Sequence, residues 1–210
     1  MLVAVSGIAP CAAAETLDRV VASIGNVALT ASDVEQEYRF ELFRNGQTPA
    51  TPPDLATLER VRDRLIDERL LAEEAEAENI ERADLPRQAA ETLIEVRKKY
   101  PSVEAFQSAL QVLGTSEGEV LSRLEDQASV LRLIDQRLRP AAWVERTEIE
   151  AYYHETFVPE YARHAVGPAP ALEEVESQIR EILVQQKIDQ LLATWLQELK
   201  ASRRVGLHSF

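Results

Sequence analysis

Two apolar stripes share the segment from Leu172 to Ser202, and one straight helix cannot bury both on the same side. Val175, Ile179, Ile182 and Gln186 follow the spacing i, i+4, i+7, i+11. Ile188, Leu192, Trp195 and Leu199 repeat it, starting two residues after the first set ends. At about 100° per residue, the stripe turns by about 200° between the two sets. A helix with this phase break crosses between two packing environments. Trp195, a large aromatic on the second stripe, is expected in the core. A short strand follows, with Val205 and Leu207 expected on one face.

The start of the chain offers that strand a partner. Val20, Ala22 and Ile24 alternate with Val21 and Ser23, Gly25-Asn26 supplies turn chemistry, and Val27 to Leu29 returns. Thr30 reads as a helix N-cap with Asp33 as its box partner. The first helix runs to about Arg44, with Val34, Tyr38 and Leu42 as its core stripe. Asn45-Gly46 stops it, and residues 47–53 form a proline-rich loop. Asp54 caps a second helix to about Asn79, apolar far enough round to sit between neighbours. A third helix spans roughly Leu85 to Lys99, and Tyr100-Pro101 breaks it. Ser102 caps a fourth carrying Val103, Phe106, Leu110 and Leu113, closed by Gly114. A fifth runs from Ser116 to about Leu138, through Val120, Leu124, Leu131 and Ile134, until Pro140 stops it. Thr147 opens a shorter helix to about Phe157. Residues 158–170 hold three prolines, one glycine and no periodicity, so they read as a linker. The expected fold is mostly α, with a small antiparallel sheet formed by the N-terminal hairpin and the C-terminal strand.

Composition narrows the function classes. With only 7 glycines in 210 residues, an all-β sandwich with many tight turns is disfavoured. The net charge of −13 disfavours nucleic acid as a partner, because a phosphate backbone calls for clustered Lys and Arg. No polybasic segment suits an anionic membrane, and no segment is apolar for long enough to insert stably into one. Residues 1–14 read as a signal peptide: Leu2 to Ala14 is uncharged and apolar, and Ala12-Ala13-Ala14 offers a small-residue cleavage site. The single cysteine, Cys11, falls inside it, and Pro10 before it is a poor lipobox residue. A mature chain without cysteine has no disulfide, thiol catalysis or cysteine–metal site.

Reactive constellations are not found. His154, His164 and His208 do not pair at helical metal spacing, and His154-Glu155 lacks the second histidine of a zincin helix. No glycine-rich phosphate loop is present. The acidic runs around Glu73 and Glu174 read as solvated helix faces with i, i+4 partners such as Arg69, weak calcium binding being the residual use. No metal or cofactor is expected.

Four segments in order carry a family resemblance: "DRVVASIGNVALTASDVEQ", "RVRDRLIDERLLAEEAEAENI", "VERTEIEAYYHETF" and "LEEVESQIREILVQQKIDQLLATWLQELKASRRVGL". Together they resemble the SurA N-terminal and PpiC-type periplasmic chaperone family over nearly the whole mature chain. In that family a parvulin prolyl-isomerase domain sits between the last two segments. Here the interval is residues 158–170, where "YARHAV" resembles only the start of a parvulin strand, with His164 in the place of its histidine. The resemblance therefore implies a signal peptide over 1–14, a helical region over 15–157, a linker over 158–170 at the place of the missing domain, and residues 171–210 completing the module. It implies a non-enzymatic, ATP-independent chaperone that binds unfolded exported polypeptides, such as outer-membrane proteins, in the periplasm. The rival reading is a periplasmic adaptor or oligomeric scaffold, a homodimer included; an active prolyl isomerase ranks last.

Three residues are candidates for contact with clients. Phe40 and Phe43 lie off the Val34, Tyr38 and Leu42 stripe. They either pack against another helix or line a groove for apolar segments. Trp143, near Pro140, has the same two readings.

Overall fold

The computed structural model describes residues 18–47, 52–165 and 167–210. The expected signal peptide and Cys11 lie outside these residues.

The chain is mostly helical, with a three-stranded antiparallel sheet of order β2-β1-β3. β1 (Val20–Ile24) and β2 (Val27–Thr30) form the hairpin. β3 is the two-residue strand Gly206–Leu207, and it pairs with β1 through Ala22↔Leu207 and Ser23↔Gly206. A bulge between Val20 and Ala22 changes which side chains point inward. Val20↔Thr30 is followed directly by Ala22↔Leu29, so Val21 is the extra residue. Val21 and Ala22 are both fully buried, while Val20 is exposed, contrary to strict alternation. The closing strand differs from expectation too. Leu207 is exposed, and Val205 and Phe210 cover the core instead.

The helices start where their caps dictate. Thr30 and Asp33 form a reciprocal capping box before α1 (Ala31–Arg44), and Asp54 accepts from the Thr57 N–H at 2.8 Å before α2 (Leu55–Ala77). α3 is Leu85–Arg97 and α4 is Val103–Leu113, ended by the left-handed Gly114. Ser116 and Glu119 box the start of α5 (Glu117–Leu138). Arg132 of α5 bonds Asp84 at 2.6 Å, and this bond holds the Asp84 carboxyl down at about 2.

α6 (Arg146–Tyr152) runs through a π turn, Tyr153–Phe157, into α7 (Val158–His164). The expected linker over 158–170 is therefore helical through His164. Pro159 inside a continuous helix would clash with the carbonyl four residues back and lacks an N–H to donate. The π turn just before it widens the ladder, with the Val158 N–H reaching back to Tyr153 O, and so accommodates the proline.

α8 spans Leu172–Ser202, and its two halves reach different cores, although Ile182 and Gln186 of the first stripe are exposed. Val175 and Ile179 pack with Val144 and Ile149. Ile188, Trp195 and Leu199 join the sheet, α2 and the end of α5 around Val21, Leu29, Ile66, Leu70 and Leu133. Val184 touches both clusters at the turnover. Charged groups fasten the closing half to α2. Lys200 meets Asp67 at 2.6 Å, Arg203 meets Glu74 at 3.0 Å, and Arg62 donates to the His208 carbonyl at 3.3 Å. The opening sheet and the closing half of α8 with β3 are thus one structural unit.

Candidate functional site

α1 is sandwiched between two cores. Val34 faces the sheet cluster; Phe40 and Phe43, on the opposite side of the helix, enter a second cluster with Ala89, Leu93, Val96, Phe106, Leu110, Val120 and Leu124. The end of α1 is bolted to the α3–α4 connection. Tyr100 Oη donates to Phe43 O at 2.7 Å, and Lys99 Nζ donates to Arg44 O at 2.9 Å. Phe43 lies 5.7 Å from the Tyr100 ring and 5.5 Å from the Phe106 ring, centroid to centroid. Gly46 turns the chain with φ of 68° directly against Lys99, whose carbonyl oxygen would lie 2.8 Å from a Cβ built there. Both the left-handed conformation and the contact call for glycine. Gly46→Ala is expected to destabilise the fold by about 1–3 kcal/mol. Urea denaturation checks it, and an unchanged midpoint would show the turn can relax freely.

This bolting leaves a groove of about 550 Å³ between the end of α1 and the outer side of α4. Phe43 is its floor, Tyr100 and Pro101 close one end, and Ala105, Ala109 and Val112 form the α4 wall. Phe106 and Leu110 turn inward, so α4 offers the groove the small side chains of Ala105, Ser108 and Ala109, together with Leu113 and the rim residue Val112, which is 68% exposed. The small residues keep the groove open, and its lining is mainly apolar.

A second cavity of about 340 Å³ lies about one turn back along α1, sharing Leu113 with the first, and differs in chemistry. Its walls include Asp33, Glu37, Arg69, Glu119 and Arg123 over Phe40. Glu37 is buried and paired with Arg123, whose guanidinium sits 3.8 Å over the Phe40 ring. Arg69 lies 3.7 Å from Asp33. Burial, with the nearby Glu37 charge second, pushes the Glu68 carboxyl above its ordinary range. A guest here would have to displace internal ion pairs, and removing a partner from a buried charge is costly. The mainly apolar groove is the better candidate.

The sequence candidates fall in three places. Phe43 floors the apolar groove and Phe40 lies under the polar cavity, with ring centroids 6.3 Å apart. Both pack between helices, being 3% and 1% exposed, and Phe43 lines the groove as well. Their position off the Val34 stripe reflects a helix with two buried faces. Trp143 is 69% exposed and stands apart, beside α8, where its carbonyl accepts from Lys187 Nζ at 2.5 Å. The three do not form one site. Tyr100, Pro101, Ala109 and Val112 were not foreseen; the one available signal was that Val112 lies off the Phe106–Leu110 stripe. His164 is exposed and meets only Glu160 on its own helix, at 3.6 Å. Among the described residues, no group of three or more His, Cys, Asp or Glu is placed to hold a metal, and no helix is long and apolar enough to cross a membrane.

No family model matches the chain, and no curated protein matches it as a relative.

Proposed function

We propose that this protein is an ATP-independent chaperone of the SurA/PpiC-like kind, which holds apolar stretches of unfolded exported polypeptides in the groove beside α4. The observation that carries the reading is the groove itself: about 550 Å³, floored by Phe43 and walled mainly by apolar side chains. Apolar burial supplies about 25 cal/mol per Å² and is non-directional, so such a surface accepts many sequences without one indispensable side chain. The order of the four family-like segments supports a periplasmic setting. The short 158–170 interval supports a holding role without prolyl isomerisation.

The purified protein is expected to suppress light scattering by an unfolded outer-membrane protein diluted from denaturant. Val112→Asp should leave the fold intact, because Val112 is largely exposed. It should weaken suppression by about tenfold, because a bound apolar segment would strand an unpaired charge. Wild-type protein that fails to suppress aggregation at stoichiometric excess would end the chaperone reading. One observation favours a second use. The exposed ring of Trp143 suits a fixed partner or a homodimer, in which case Trp143→Ala shifts the elution volume and leaves suppression unchanged.

A further inference from the structure

The chain holds 36 Asp and Glu against 23 Lys and Arg, yet among the described residues no carboxylate lines the groove beside α4. Arg39 is the one charged residue in its lining among the described residues. The neighbouring cavity, about one turn back along the same helix, mixes Asp33, Glu37 and Glu119 with its arginines. The absence of acid is therefore a property of this groove and not of α1.

A helix C-terminus would ordinarily set a partial negative charge here. Its carbonyls are occupied instead. Phe43 O accepts from Tyr100 Oη and from the Gly46 N–H at 3.0 Å, and Arg44 O accepts from Lys99 Nζ. The helix terminus therefore sets little negative charge against the groove, and Arg39 gives its described lining a single positive charge. Arg39 is held only loosely: its contact with Glu35 is 3.4 Å long, and both side chains are more than half exposed, at 57% and 52%. An exposed contact of that kind contributes little and is readily exchanged. A carboxylate reaching Arg39 could take both of its terminal donors at once, a geometry Arg favours.

We infer that the groove selects an apolar client segment flanked by acidic residues, with the apolar side chains over Phe43, Ala105 and Ala109 and a carboxylate on Arg39. This rests on the groove being the client site. Selection by charge at the rim gives specificity without demanding a fixed apolar sequence.

Fluorescence anisotropy on the full chain tests it, with three labelled decapeptides that share one apolar core and end in two aspartates, two serines or two lysines. At low salt the aspartate peptide is expected to bind about threefold tighter than the serine peptide, and the lysine peptide more weakly than either. Glu35→Gln should widen the difference by freeing Arg39. Arg39→Glu should reverse the order, and high salt should erase it. If aspartate and serine peptides bind alike, and both are lost in Val112→Asp, the groove stands as the client site and the charge rule is overturned. If no peptide binds in a Val112-dependent way, the groove reading fails and this inference with it.

Discussion

A chain cut after Lys187 is expected to lose its opening helices as well as its closing one. The cut removes Ile188, Trp195 and Leu199 from the cluster that also holds Val21, Leu29, Ile66 and Leu70. Deleting buried side chains of this size costs about 2–5 kcal/mol each. Three together reach about 6–15 kcal/mol, which matches the whole stability of a typical domain. The same cut leaves β1 and β2 as a two-stranded hairpin, marginal in water. It also takes the His208 carbonyl from Arg62, which is buried, and the Lys200 ammonium from Asp67. Far-UV circular dichroism should show helicity far below that of the residues retained, with no cooperative melt. A truncated protein that keeps its helicity and melts sharply would show that the N-terminal half stands alone.

Trp195→Ala should cost about 3–5 kcal/mol, the largest effect expected from a single substitution. Trp195 is 8% exposed, sits on the second α8 stripe, and carries the Arg137 guanidinium 4.4 Å over its ring. A cavity there opens between α8, α2 and the end of α5, where neighbours from three elements cannot all move inward. Arg137 would keep its ion pair with Glu78 and lose the ring beneath it. Urea denaturation followed by circular dichroism measures the loss. The chain has two tryptophans, and the other, Trp143, is exposed, so the variant's emission should also move to the red. A loss below about 1 kcal/mol would mean the site collapses or Trp195 contributes little packing.

Periodicity carried much of the fold. The phase break between Gln186 and Ile188 foretold that α8 serves two cores, and the caps at Thr30, Asp54, Ser102 and Ser116 placed four helix starts. What failed was information that one helical stripe cannot hold. Leu55, Val103 and Leu131 are apolar on an apparent stripe and yet exposed, because burial depends on whether a neighbour arrives. The β1 bulge hid Val21, since pattern alone assumes strict alternation. Pro159 reads as a breaker until the π turn ahead of it is known. The candidate site was legible only at Phe43. Its walls, Tyr100, Ala105, Ala109 and Val112, lie far along the chain from Phe43 and are ordinary residues taken singly. They become a groove only once Gly46 and Lys99 have fixed the angle between α1 and α4.

The pairing of Ala22 with Leu207 also sets a timetable. Contacts so distant in sequence form late, because the loop between them must be closed first. During synthesis β1 is made well before its outer partner β3. Until then one side of β1 is an unpaired strand edge, open to any extended chain nearby. The nearest suitable strand on a neighbouring finished chain is the β3 of that copy. Slow or stalled synthesis should therefore favour exchange of the Gly206–Leu207 strand between molecules, giving swapped dimers built from native contacts.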